Sequence, residues 1–148
     1  MEESLTYLKE QFELPDVDVK SYSPLVLAYI GDGIYELVIR TAVVGQGNRQ
    51  ANALHKKTST YVKASAQAAM MEAILEDLTE EELAVYKRGR NAKTVSMAKH
   101  ATMHDYRHAT GFEALMGYLY LADRFDRILE LTVLGLDGLG KEEKTHRS

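Results

Sequence analysis

The sequence predicts a single all-α domain, and three observations carry that prediction. Helix start and stop signals recur along the chain, apolar residues recur at helical spacing, and β-branched residues nowhere alternate with polar ones over a useful length. The first long helix begins at Ser23-Pro24, a serine cap followed by proline at the first helical position, and stops near Gly45. Its apolar residues occupy more than one face, which marks it as the central buried helix. GQGNRQ follows as a Gly-rich connector whose spacing matches no phosphate-binding loop. Two helices are expected between Gln50 and Asp77, divided near Lys57-Thr58-Ser59. Thr79-Glu80-Glu81-Glu82 has the form of a capping box, opening a helix toward Tyr86. RGRNAKTVS then reads as a loop, and a last pair of helices covers Ala98 to about His108 and Phe112 to about Leu134. DGLGKEEKTHRS is polar and expected to fray, which divides the chain into a domain at 1–136 and a flexible tail at 137–148.

A chain of 148 residues is long enough to bury a sizeable core, and 45% hydrophobic with 27% charged residues is ordinary globular composition. The absence of cysteine excludes disulfides and thiolate metal sites and is compatible with a reducing cytoplasm. MEESLTYLKE lacks the apolar centre of a signal peptide, and no apolar run approaches the roughly 20 residues that span a bilayer. The expectation is a cytoplasmic protein with no membrane partner. A net charge of −4 argues against a generic nucleic-acid binder until its distribution is read. Between Glu36 and Glu72 stand five bases and no acid: Arg40, Arg49, Lys56, Lys57 and Lys63. Between Glu82 and Asp105 stand five more, again with no acid: Lys87, Arg88, Arg90, Lys93 and Lys99. Such asymmetry on an acidic chain points to a basic surface suited to a polyanion; two solvated faces are the plainer reading.

Two carboxylates are out of place. YIGDGIY holds Asp32 between two glycines inside an apolar run. Each glycine costs a helix interior about 1 kcal/mol, and an unpaired carboxylate in apolar surroundings costs several more. HATGFEALMGYLYLA repeats the pattern, because Glu113 is the only charge between His108 and Asp123. If the two helices pack together the carboxylates meet, and like charges that close raise one pKa unless a cation lies between them. Few oxygen ligands, open to solvent, suit Mg²⁺, which keeps several waters and accepts phosphate oxygens. Structural readings stand beside this one. Thr110-Gly111-Phe112-Glu113 also fits a capping box, and Asp32 can be satisfied by backbone groups or a basic partner. Glu36 is placed to pair with Arg40 one turn on.

YIGDGIYELVIR, LHKKTS, KRGRNAK and YRHATGFEALMGYLYL, in that order, resemble the catalytic domain of ribonuclease III. The likeness is closest to the Mini-ribonuclease III branch, which lacks the double-stranded-RNA-binding domain, and it runs from about Tyr22 to Leu131. Larger members carry two acids in each carboxylate motif; here Ala28 and Thr110 stand at the second positions, as in the Mini branch, leaving fewer carboxylates for a second ion. The resemblance implies an all-α homodimer that cuts duplex RNA in a basic valley and leaves 5′-phosphates. It implies Asp32 and Glu113 as the catalytic metal ligands, with Mg²⁺, or Mn²⁺ in its place, as the cofactor. It further implies maturation of large-subunit ribosomal RNA precursors, a substrate on which a ribosomal protein is a conceivable further partner. Duplex RNA is recognised through phosphates, 2′-hydroxyls and A-form shape, so Lys56, Lys57, Arg88, Arg90, Lys93 and Arg107 are the expected RNA-binding residues. Thr110 is a candidate to orient a water at the metal.

Two other functions compete. His100, His104 and His108 recur every fourth residue, and His104-Asp105 is the doublet of the HD metal-dependent phosphohydrolases, although no partner histidine and aspartate stand out elsewhere; an RNA-facing or solvated histidine stripe is the favoured reading. A non-catalytic RNA-binding or ribosome-associated module on the same fold is the other, and retention of both Asp32 and Glu113 speaks against it.

Overall fold

The computed structural model describes residues 2–93 and 102–147, with side-chain surroundings for 4–93 and 102–140. Seven helices are seen there: α1 Glu2–Gln11, α2 Pro24–Gly45, α3 Ala51–Val62, α4 Ala64–Ile74, α5 Glu80–Asn91, α6 Met103–Leu121 and α7 Phe125–Arg147. Short 3-10 turns occupy Val19–Ser21 and Leu75–Asp77, and the described residues contain no strand. The all-α expectation holds. Among the described residues no helix is long and apolar enough to cross a membrane.

The central helix is α6, not α2. From Ala109 to Leu119 every residue of α6 but Glu113 is buried, and α2, α4, α5 and α7 all pack against it. One face of α2 also enters the core through Leu27, Ile34, Tyr35, Ile39 and Val43, while Val26, Tyr29, Leu37 and Val44 stand in solvent. The apolar residues that made α2 look buried all round therefore include an uncovered set. Tyr35 ties three helices together. Its ring meets Phe112 of α6 edge-on at 5.0 Å, and its hydroxyl donates to the Tyr61 carbonyl at 2.8 Å.

Element boundaries agree with local signals in some places and yield to packing in others. Ser23 caps α2 by accepting from the Val26 N–H at 3.3 Å, and Gly45 is the last residue of that helix. The α3–α4 break falls at Lys63, five residues beyond the expected division at Thr58, which is instead buried within α3. The carbonyl that α3 leaves free at Val62 is taken by the Gln67 side chain at 2.8 Å, so an amide from the next helix fixes the corner. Helix α5 continues to Asn91, making Arg88, Gly89 and Arg90 helical rather than loop. Helix α6 runs unbroken through Thr110-Gly111, and its cap is Thr102, which accepts from the Asp105 N–H at 3.0 Å. Thr110 caps nothing; its hydroxyl donates to the Tyr106 carbonyl one turn back, at 2.9 Å. Helix α7 continues to Arg147, past Leu136 where a tail was expected.

Candidate metal centre and nucleic-acid face

The crossing of α2 and α6 is built on two glycines. A Cβ on Gly31 would lie 1.7 Å from the Glu113 carbonyl oxygen, and one on Gly117 would lie 1.9 Å from the Leu27 carbonyl oxygen. Only hydrogen at both positions lets the backbones touch, and this answers half of the GDG question. Gly33 has nothing within 4 Å of its missing side chain, so its reason is not internal packing.

Backbone contact at Gly31 brings the next residue, Asp32, against Glu113. Asp32 is exposed and Glu113 half-buried. The Glu113 carboxyl is pushed up to about 8, first by burial and then by a hydrogen bond to Asp32 and the charge on it. The sequence therefore placed the two acids correctly with respect to each other. Their proximity disfavours ionisation of both, and among the described residues no cationic side chain offsets it. A third group faces the pair. The Gln67 side chain, from α4, lies near enough to Glu113 to work against the upward shift. Gln67 is 2% exposed, and its Oε1 is buried without a partner, the one such side-chain atom among the described residues. Sequence reasoning missed it. The available signal was an isolated amide in the apolar run ASAQAAMM.

This donor set fits a hard divalent cation. Two carboxylates converge from different helices with a neutral carboxamide beside them, every donor is oxygen or is backed by oxygen, and Asp32 keeps the site open to solvent. No cluster of three or more His, Cys, Asp or Glu is present among the described residues, so the remaining coordination would fall to water and phosphate. The same fact weakens the HD reading. His104 Nδ1 lies 3.4 Å from Asp105 Oδ1, and the doublet gathers no further ligand among the described residues.

The predicted RNA-binding residues divide into separate groups. Arg90 and Arg107 line one cleft with Asn91, Met103, His104 and His108. In it the Tyr86 hydroxyl bonds to His108 Nδ1, Arg90 lies 5.6 Å over the Tyr86 ring, and the His104 and His108 rings approach to 4.2 Å. Burial, then the neighbouring His104 and Arg90 charges, hold His108 below its ordinary range. Arg88, two residues before Arg90, faces a different cleft with Lys20, Glu81 and Tyr118. Lys56 is exposed on α3, whereas Lys57 is half-buried and engaged with the Gln46 side-chain oxygen. Lys93 is exposed just after α5, and His100 and Lys99 lie outside the described residues. His104 and His108 line this cleft, and buried Tyr86 supports it from below, a role not assigned to it from the sequence.

Residues 25–124 match the Ribonuclease III domain, and this match with the all-α fold defines the protein as an endoribonuclease of the ribonuclease III class, metal-dependent and acting on double-stranded RNA. Within that class the chain belongs to the Mini-ribonuclease 3 family. It is 51% identical over 137 residues to the Mini-ribonuclease 3 of a Thermoanaerobacter species, covering 90% of this chain and 96% of that one. It is 52% identical over 116 residues to the Mini-ribonuclease 3 of Enterococcus faecalis, covering 77% and 88%. A crystal structure of a Fusobacterium nucleatum protein, 32% identical, superposes with a TM-score of 0.74 over 83% of this chain and 98% of the other.

Proposed function

We propose that the protein hydrolyses duplex RNA at the Asp32–Glu113 pair with Mg²⁺, or Mn²⁺ in its place, and that its substrate is a large-subunit ribosomal RNA precursor. The supporting observation is the meeting of two acids with no cationic side chain between them among the described residues, one of them pushed up to about 8. Mg²⁺ there supplies a bound water of lowered pKa and neutralises charge developing on the phosphate. Exposed Asp32 would hold the ion on the side open to solvent, where the RNA backbone would arrive, and half-buried Glu113 would hold it toward the protein. Glu113 would have to be deprotonated to hold the ion, so binding would be coupled to pH. The backbone contact at Gly31 fixes the spacing of the two acids before substrate arrives. Lys56, Lys57, Arg88, Arg90, Lys93 and Arg107 contact phosphates and 2′-hydroxyls, and Thr110, turned back onto Tyr106, keeps an intrahelical role.

The active form is a two-fold homodimer. Val26, Tyr29 and Leu37 stand exposed on the face of α2, with Tyr29 82% exposed, and a second copy would cover them. A cytoplasmic location goes with the proposed precursor, and a ribosomal protein bound to that RNA is a further partner.

Incubation with long duplex RNA, single-stranded RNA and duplex DNA, with and without Mg²⁺, tests the activity. Cleavage of duplex RNA alone, dependent on Mg²⁺ and leaving 5′-phosphates, is the expected result. Tight duplex binding with no cleavage at any metal concentration would instead make the protein an RNA-binding module. Sedimentation equilibrium tests the assembly and should report about twice the chain mass.

A further inference from the structure

We infer that Gln67 is a positioning residue of the metal centre: its carboxamide orients Glu113 and offers Oε1 to a water of the ion's hydration shell. The inference rests on the metal role proposed above for Asp32 and Glu113.

Three observations carry it. First, Gln67 is locked. It is 2% exposed and its Nε2 donates to the Val62 carbonyl at 2.8 Å, so the corner between α3 and α4 determines where the carboxamide lies. Second, the carboxamide neighbours Glu113 on a third helix: α4 packs against α6, and Gln67 is near enough to act on the Glu113 carboxyl. Asp32 from α2, Glu113 from α6 and Gln67 from α4 thus converge from three elements, and moving any one helix would open the group. Third, Gln67 Oε1 is buried with no partner among the described residues. A buried acceptor left unpaired carries the full desolvation cost of the group, and an ordered water or ion is a usual explanation for such an atom. An amide is also suited to the place. It can donate to a carboxylate and accept from water without adding a third acid to the pair.

If Gln67 merely satisfied the Val62 carbonyl, apolar replacement would lower stability and leave metal affinity alone. Metal affinity measured without RNA therefore separates the two roles. Mn²⁺ binding to the RNA-free protein is read by electron paramagnetic resonance for wild type, Gln67→Leu and Gln67→Met, with Asp32→Asn alongside. Groups that orient a ligand from behind typically change metal affinity by about 10- to 100-fold. The Leu and Met variants should weaken Mn²⁺ by that range, while binding duplex RNA normally in the presence of a chelator. A folded variant with wild-type Mn²⁺ affinity overturns the inference, whatever its thermal stability. Asp32→Asn keeps the two failures apart. If it too binds Mn²⁺ normally, the metal reading itself is wrong; if it loses Mn²⁺ while the Gln67 variants do not, only Gln67 is. Should neither variant fold, the side-chain amide resonances of Gln67 in the wild-type protein decide. They should move on Mg²⁺ titration in parallel with saturation, and unmoved resonances overturn the proposal.

Discussion

Thr79-Glu80-Glu81-Glu82 and Thr110-Gly111-Phe112-Glu113 are the same motif with opposite fates. In the first, the Thr79 hydroxyl accepts from the Glu82 N–H at 3.1 Å and Glu82 accepts from the Thr79 N–H at 2.9 Å, closing a true capping box. Glu82 is then met by Arg127 of α7, whose Nε and a terminal nitrogen each lie 2.9 Å from a different carboxylate oxygen. Burial pushes the Glu82 carboxyl up, but the Arg127 hydrogen bond, the Thr79 backbone and the Arg127 charge together hold it below the ordinary value. In the second, the threonine sits mid-helix and the glutamate faces another acid, with its carboxyl pushed up to about 8. The buried glutamate is satisfied in every direction. The half-buried one lacks a cation among the described residues, and a fold does not retain such a group for stability.

The sharpest way to break this comparison is to neutralise each acid. Glu113→Gln and Asp32→Asn should each lower cleavage of duplex RNA by at least about a hundredfold, the scale of losing one well-placed electrostatic group in a site. Both should keep the fold and duplex binding, and Glu113→Gln should melt no lower than wild type in chelator, because a neutral amide removes the cost of keeping that carboxyl protonated. Gel-based cleavage assays paired with thermal melts check this. Glu113→Gln cutting at the normal rate would move Glu113 to the structural side with Glu82.

Next in size is the structural pair. Arg127 and Glu82 have side chains only 12% and 6% exposed. Arg127→Ala leaves a buried carboxylate uncompensated, which costs about 3 kcal/mol. Urea denaturation should show that loss while the rate of RNA cleavage per folded molecule stays near wild type. A parallel loss of cleavage would mean that α7 also supports the carboxylate crossing.

How much of this was legible in the sequence follows from where each signal acts. The ends of α2 and the box at Thr79 are local chemistry, and the sequence read them. The two acids were legible because a charge in an apolar helical run is anomalous wherever the helix packs. Other features depend on contacts across the chain. The break at Lys63 involves no glycine or proline and is fixed by Gln67 returning to Val62. Gly89 looks like a loop residue but sits inside α5, because a Cβ there would come within 2.9 Å of Gly111 Cα on α6. Gly111 in turn must lack a side chain, since a Cβ there would lie 2.7 Å from the Tyr86 ring, and this close packing holds α6 helical through the false cap at Thr110. Helix α1, whose described buried residue is Leu5, carried too little apolar surface to be anticipated. The Gln67 role was invisible for the same reason as the Lys63 break.

A smaller effect distinguishes the two glutamates by sign. In the metal-free protein, folded Glu113 keeps a proton that the unfolded chain releases near the ordinary value of 4.5, until the pH passes about 8. Its contribution is complete at low pH and is lost as pH rises through that window. Folded Glu82 lies below the ordinary value, so its contribution is present at neutral pH and is lost on acidification. Denaturation in chelator at pH about 5 and about 9 should therefore show an alkaline loss that Glu113→Gln abolishes and saturating Mg²⁺ reverses. An alkaline loss that persists in Glu113→Gln would show that another group causes it.

The smallest effect is the cleanest, because it makes one substitution at equivalent positions of the two motifs. Thr79→Ala removes a side-chain acceptor from an N–H that has no other partner, and a lost helix cap costs about 1 kcal/mol. Thr110→Ala removes a hydroxyl that only shares the Tyr106 carbonyl with the helix ladder, an arrangement that slightly destabilises helices. It also loses one buried methyl, worth about 0.8 kcal/mol, and gains about 0.5 kcal/mol of helix propensity. These terms nearly cancel, and the net change should stay within about 0.5 kcal/mol of zero. Equal losses at the two positions, measured by urea denaturation, would mean that Thr110 holds up the carboxylate crossing after all. Unequal losses in the expected order would confirm that a T-x-x-E signature is a cap only where the helix begins.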